Sequence, residues 1–179
     1  MGVIAVRRAG LIVALGALLG MIAGAATASL ALADGRGDGW VFQDFPPGFT
    51  SDNCGFHIEA TQDVANVFTK TLKTASGSTI LLTTGAAKIT YTNLTNGKSV
   101  TEVTSGPAKA IINPVDGSST FRATGHEPVD LSPTDQQRFG LPGLFVSVGP
   151  LTGSADANFN FTSLEVEGHI LVNICAALS

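Results

Sequence analysis

The chain is poor in charge and in the residues on which most enzyme chemistry depends. Of 179 residues, 13% are charged, and there are three histidines, two cysteines, one tyrosine and one tryptophan. No Cys-x-x-Cys pair, His-Glu-x-x-His string, zinc-type cysteine cluster or phosphate-cradling glycine loop is present, so the spacings that mark common metal, nucleotide and peptidase sites are missing. The Gly-x-Ser-x-Gly string of a serine nucleophile elbow is also missing, and Ser76-Gly77-Ser78 is better read as a turn. Basic patches are lacking too. Lys70, Lys73, Lys88, Lys98 and Lys109 are scattered, and the formal charge is −4, which argues against nucleic acid as a partner. Beyond residue 33 no stretch keeps a 3.6-residue apolar period for ten residues, so long helices are not expected.

What is present begins with an address. Arg7 and Arg8 precede an uncharged stretch, Ala9 to Ala33, rich in Leu, Ile, Val, Ala and Gly, which closes on Ala31-Leu32-Ala33. A positive start, an apolar middle and a small-x-small end make a secretory signal peptide, with Ala26-Thr27-Ala28 as a second cleavage site. The alternative is an uncleaved membrane anchor, since about 20 apolar residues reach across a bilayer. The Ala and Gly content and the clustered cleavage residues favour removal. Cleavage after Ala33 takes 33 residues from 179 and leaves 146, enough for one domain with its own core. Arg7 and Arg8 go with the leader and no acid does, so the formal charge moves from −4 to −6. The expected organisation is a signal peptide over 1–33, an irregular Gly/Pro/aromatic arm over 34–53, and a β domain over 54–179. The expected location is outside the cell or in the cell envelope, with membrane contact only through an uncleaved leader.

Cys54 and Cys175 lie near the two ends of the mature part. In an exported protein an even pair is most simply a disulfide, here one that ties the first strand to the last. Two reduced thiols in a redox or metal role would need a neighbouring ligand that the sequence does not supply.

In the arm, Asp34-Gly35-Arg36-Gly37-Asp38-Gly39 is punctuated by glycine, and Phe45-Pro46-Pro47-Gly48 cannot continue a sheet ladder. Trp40, Phe42, Phe45 and Phe49 sit among them and suit a segment folded back over an apolar opening or flat face. From Phe56 the pattern is strand, turn, strand. Phe56-His57-Ile58-Glu59-Ala60 alternates apolar with polar. Further strands are expected near 64–73, 78–84, 86–94, 98–104, 107–113, 118–124, 143–149, 155–161 and 164–175. Asn96-Gly97 and Asp116-Gly117 supply the positive φ angles of tight turns. Pro133–Phe139 has room for one helical turn, with Ser132 as its cap. About eight to ten short strands at regular spacing predict an all-β fold, a single antiparallel barrel or sandwich.

Several of these residues form a familiar set: Cys54-Gly55-Phe56, Thr92-Asn93-Leu94 leading into Asn96-Gly97-Lys98-Ser99, Asp116-Gly117-Ser118, Gly143-Leu144-Phe145-Val146-Ser147-Val148-Gly149, and Asn173-Ile174-Cys175-Ala176-Ala177-Leu178. Together they resemble a large group of short β-proteins secreted by actinobacteria. The resemblance covers nearly the whole mature domain. It implies export, the cysteine bridge and a β architecture, and it brings no catalytic residue or cofactor with it.

The strongest chemical constellation is Glu165, Glu167 and His169. Alternate residues of a strand share a face, so on an unbroken strand these would stand about 6.6 Å apart in steps of two, with Leu164, Val166, Ile170 and Val172 facing the core. Three such groups suit a divalent metal or acid–base chemistry, and equally the solvated face of an amphipathic strand, which is the preferred reading. His57 and Glu59 share a face in the same way. Regular strands joined by Cys54–Cys175 would set His57 and His169 on opposite sides, against a joint site, and a bulge at Gly55 would reverse this. His126-Glu127 before Pro128 fits an exposed loop. In Asp34–Gly39 a calcium loop fails because Arg36 takes a ligand position and Phe45 the place of the bidentate acid. Arg36-Gly37-Asp38 matches the integrin tripeptide, a string that chance supplies often. Asn93-Leu94-Thr95 and Asn160-Phe161-Thr162 are glycosylation sequons.

Three functions are compatible with these observations. The first is a non-catalytic binding protein for a small apolar ligand or a cell-envelope component. The second is a structural or interaction protein of the envelope. The third is a small-barrel enzyme of the cyclase or isomerase type, which would require Tyr91, Asn93 and Glu102 to converge in a cavity. Enzymatic activity is the less expected outcome, and no cofactor is implied.

Overall fold

The computed structural model describes residues 39–43 and 48–179. The expected signal peptide over 1–33, the Asp34–Asp38 portion of the glycine segment and Phe45-Pro46-Pro47 lie outside the described residues. Among those described, no helix is long and apolar enough to cross a membrane.

The fold is all-β, and the described residues form ten antiparallel strands in one sheet that curls partly into a ring. In chain order these are β1 (Val41–Phe42), β2 (Gly48–Ser51), β3 (Ile58–Lys73), β4 (Thr79–Asn93), β5 (Ser99–Ser105), β6 (Ala108–Ile112), β7 (Ser119–Asp130), β8 (Leu144–Ala155), β9 (Phe161–Val166) and β10 (His169–Asn173). Two short helices complete it, α1 (Pro133–Phe139) between β7 and β8, and α2 (Ile174–Leu178) after β10.

The strands are longer than the sequence pattern suggested. The apolar runs expected at 78–84 and 86–94 form one strand, β4, and those at 56–60 and 64–73 fuse into β3 across a bulge between Gln62 and Val64. The arm is not wholly irregular either. Gly48–Ser51 pairs with Ile58–Thr61, and Val41–Phe42 pairs with Phe68–Thr69. The turns behave as their residues dictate. Asn113 N donates to Ser118 O across the loop 114–117, with Gly117 at φ 72° and Asp116 Oδ1 accepting from Ser118 N. Ser132 caps α1 by accepting from Asp135 N, and Gly140 ends that helix in the left-handed conformation.

A row of glycines crosses the sheet. Gly85 on β4, Gly106 in the β5–β6 link, Gly125 on β7 and Gly168 in the β9–β10 link each bring their Cα against a carbonyl of the adjoining strand. A Cβ there would stand 2.0 Å from Asn66 O, 2.0 Å from Thr124 O, 2.0 Å from Ser105 O and 1.9 Å from Val148 O respectively. Gly85, Gly106 and Gly125 also hold φ near 130–135°, a region closed to other residues. Gly125 faces Gly149 across the β7–β8 ladder.

This crease divides the molecule. On one side, called here the upper half, β4 pairs with β5 and β8 with β10; below it β4 pairs with β6 and β8 with β9. In the upper half β5 and β7 pair only at Ser105↔His126, so the hydrogen-bonded ladder between them stops there. Beyond that point β7 has no ladder partner among the described residues on its β5 side, and a proline at 128 removes no ladder bond from that side. The loop expected at His126-Glu127-Pro128 is therefore strand.

Two apolar clusters follow. One gathers Leu81, Ala110, Phe121, Ala123, Leu151 and Phe161 in the lower half and extends to Val129, Leu131 and Phe145, where Phe139 and Leu141 pack. The other fills the upper half between β3–β4 and β8 with Ile58, Ala60, Ile89, Tyr91, Leu144 and Val146. Neighbouring residues of β8 thus serve different clusters, and the runs 127–131 and 143–147 are buried without a break.

Helix α2 closes the upper cluster. Ile174 and Leu178 are fully buried in it, Asn173 caps the helix by accepting from Ala176 N, and the amides of Asn93 and Asn96 both donate to Leu178 O at 3.0 Å. The Cys54–Cys175 disulfide fixes the same helix, with 5.2 Å between Cα atoms and 121 residues of separation. Cys175 therefore lies on a helix, and the expected strand over 164–175 is corrected twice: it turns at Glu167–Gly168 and ends at Asn173.

Because a bridge over so long a loop restricts the unfolded chain, Cys54→Ser with Cys175→Ser should cost about 2–4 kcal/mol, a fall in Tm on the order of 10 °C. Calorimetry checks the loss, and hydrogen exchange should show Ile174–Leu178 losing protection first. Unchanged stability would mean that the asparagine bonds alone hold α2.

Candidate functional site

The residues that bring polar chemistry into the interior come from four segments. Tyr91 on β4 faces the upper cluster and is fully buried. Its Cα partner on β5 is Val100; two residues on, Ile89 pairs with Glu102, so Glu102 shares that face and is half-buried. On the opposite side stands Asp130, the last residue of β7, paired with Leu144 of the same cluster. The β2 segment and the turn after it supply the rest. Ser51 Oγ donates to Asp130 Oδ1 at 3.0 Å and Asn53 Nδ2 donates to the same oxygen at 2.8 Å. Phe49 sets its ring edge-to-face with Tyr91 at 6.2 Å between centroids.

The electrostatics are those of acids without counter-ions. Burial lifts the Tyr91 phenol well above its ordinary value, and the nearby carboxylates of Asp130 and Glu102 push it further in the same direction. Tyr91 is therefore a neutral hydroxyl at any physiological pH, and among the described residues that hydroxyl has no hydrogen-bond partner. Asp130 is raised to about 6 by burial, against the lowering effect of the Asn53 and Ser51 bonds. Both bonds fall on Oδ1, so Oδ2 is left to accept.

A second buried acid stands near the crease. Glu127 on β7 is opposite Ser147, whose hydroxyl donates to the Glu127 main-chain oxygen at 3.3 Å. Burial alone raises its carboxyl to about 8, and no described residue donates to that carboxyl. The ion pair found among the described residues is His57 with Asp52, on the exposed surface.

Of the expected ligand-binding residues, Tyr91 and Glu102 are brought together and Asn93 is not. Asn93 is buried, but its amide is committed to Leu178 O and its Oδ1 accepts from Thr95 N. That placement also removes the acceptor amide of the first sequon from solvent, although Leu94 and Thr95 stay exposed. Glu165, Glu167 and His169 are all exposed. Thr152 Oγ1 donates to Glu167 at 3.4 Å, the chain turns between Glu167 and His169, and no group of three ligands able to hold a metal ion exists among the described residues. His126 is half-buried on β7 with Nδ1 at 3.2 Å from Val103 O.

An open groove of about 600 Å³ lies over β7, β8 and β9, with Thr120, Thr152, Ser154, Ser163 and Glu165 among its lining. Its hydroxyls satisfy one another, as Ser154 does with Thr162 and Ser163. It holds no unmet polar group comparable to Tyr91.

Asp130 and Glu127 were not singled out by the sequence. Glu127 had a signal: Phe121, Ala123, Val129 and Leu131 keep an apolar period of two that runs straight through it. Asp130 had none, because its partners lie 77 and 79 residues away.

Searches for similar proteins found no matching family model, no matching curated protein and no matching solved structure.

The raised acids dictate how stability depends on pH. Folded Glu127 and Asp130 hold protons that the unfolded chain releases at the ordinary values of 4.5 and 3.8. Their contribution is complete below those values and is lost as pH rises through about 6 for Asp130 and about 8 for Glu127. Tm should therefore fall on the order of 5–10 °C between pH 5 and pH 8. Glu127→Gln should flatten the part of the curve between pH 6 and 8. A Tm that is level or rises over that range would show that both acids are ionised and solvated in the folded protein.

Proposed function

We propose that this is an exported, non-catalytic binding protein that takes a small apolar ligand or envelope component into its upper half, between β4–β5 and β7–β8. The observation that carries this reading is the Tyr91 hydroxyl, buried and unpartnered inside an apolar cluster. A buried hydroxyl without a partner costs about 1–3 kcal/mol, and a ligand atom placed against it recovers that loss. The surroundings suit such a ligand: apolar walls from Ile58, Ile89, Val100 and Val146, with Tyr91, Asp130 and Glu102 as the few polar groups that fix orientation. The gap between β5 and β7 offers the nearest break in the hydrogen-bonded wall.

Export is supported by the leader and by the disulfide, a bond that persists in oxidising compartments. The resemblance to secreted actinobacterial β-proteins fits the same location. Against catalysis, Tyr91 ionises too high to act as a base, and Asn93 is taken up by α2.

A second reading rests on a separate observation. Val64 and Leu72 on β3 and Phe42 on β1 share one face of the sheet and are exposed, and Phe42 packs edge-on against Phe68. This apolar stripe suits an interaction protein of the envelope.

Native mass spectrometry of the exported protein distinguishes the two. The binding reading expects an adduct that survives gentle ionisation, is lost on denaturation, and is depleted in Tyr91→Phe. A bare mass together with self-association that Phe42→Ser abolishes would replace it with the second reading.

A further inference from the structure

We infer that the ligand of the upper interior carries a basic nitrogen: an apolar body ending in a protonated amine, with the ammonium seated between Asp130 Oδ2, Tyr91 Oη and Glu102. This rests on the reading of that interior as a ligand site and names the chemistry the site accepts.

The argument starts from what the interior lacks. Its ionisable groups are the buried Asp130 carboxyl, the half-buried Glu102 carboxyl and the buried Tyr91 phenol, and none makes an ion pair among the described residues. The described lysines and arginines are exposed or half-buried, and none is fully buried. A buried acid without a cation is costly, and the cost falls when a cation enters. Asp130 is also oriented. Ser51 and Asn53 both hold Oδ1, which fixes the carboxylate plane and leaves Oδ2 as an acceptor. The Tyr91 hydroxyl is a second acceptor, fully buried and unmet, and the Phe49–Tyr91 ring pair adds aromatic surface of the kind that attracts cations.

Other ligand classes fit less well. A carboxylate or phosphate head would meet Asp130 and Glu102 with like charge. A metal ion would need three ligating side chains, and no such group exists among the described residues. An alcohol would satisfy Tyr91 and leave the acids uncompensated. An ammonium donates three hydrogen bonds, one for each of the three groups.

The test is titration calorimetry on the exported, disulfide-bonded protein at pH 7.5 with three probes of equal chain length: octylamine, octan-1-ol and octanoate. Octylamine is expected to bind at least about tenfold tighter than octan-1-ol, the gain of a hydrogen bond to a charged group, and octanoate weakest of all. Asp130→Asn keeps an oxygen for Ser51 and Asn53 and should bring octylamine to the octan-1-ol value. Tyr91→Phe serves as the second variant should that one fold poorly, and Glu165→Gln on the surface should change nothing. Equal binding of octylamine and octan-1-ol, both weakened by Tyr91→Phe, would overturn the ammonium inference while leaving the apolar-ligand reading intact. Tightest binding of octanoate would do the same. Failure of all three probes to bind would overturn both.

Discussion

At each of four aligned glycines in this sheet a neighbouring carbonyl oxygen occupies the place where a Cβ would stand. Gly85, Gly106, Gly125 and Gly168 line up across β4, the β5–β6 link, β7 and the β9–β10 link, and the backbone at the first three adopts a φ that only glycine tolerates. Much of the architecture depends on that line. It lets one long strand change partners along its length, β4 from β5 to β6 and β8 from β10 to β9. It separates two cores, and at its upper edge it parts β5 from β7. That parting lets the inner faces of β4 and β5 confront Asp130 rather than pair flat with its strand.

The upper half is therefore a compromise between packing and polarity. Apolar side chains from β3, β4 and β8 close on one another, yet buried Tyr91 and Asp130 and half-buried Glu102 lie among them with no cation from the described residues to offset them. The cost of holding such groups out of water is offset elsewhere, at α2. Its two buried apolar residues, the two asparagine bonds to Leu178 O and the Cys54–Cys175 bridge all act on five residues at the end of that core. Asn53 donates to Asp130 next to bridged Cys54, so the bond that secures α2 also steadies the segment that orients the carboxylate.

Much of this was legible in the sequence, for physical reasons that can be named. Period-two alternation gave the strands, because one face of each meets a core. Asn96-Gly97 and Asp116-Gly117 gave the turns through their φ requirements, and Ser132 gave the cap of α1. What escaped was long-range. Gly85 and Gly125 look like strand breakers one at a time, and only their alignment across strands makes them a crease that strands pass through. Glu127 looked like loop because a proline follows it, yet the parting of β5 from β7 admits that proline. The Glu165, Glu167 and His169 row depended on an unbroken strand, and Gly168 turns it. Asn93 belonged to a helix 85 residues away rather than to Tyr91 two positions before it.

Tyr91 is the one tyrosine of the chain, so its ring carbon Cζ gives a single resonance in protein labelled with carbon-13 tyrosine. The most direct test of the account is that resonance, followed while octylamine is added to the disulfide-bonded protein. A ligand whose polar end meets the hydroxyl should shift it saturably, in step with the calorimetric binding curve. A resonance that stays fixed while the probe demonstrably binds would place the site elsewhere and leave the buried hydroxyl a cost of the fold.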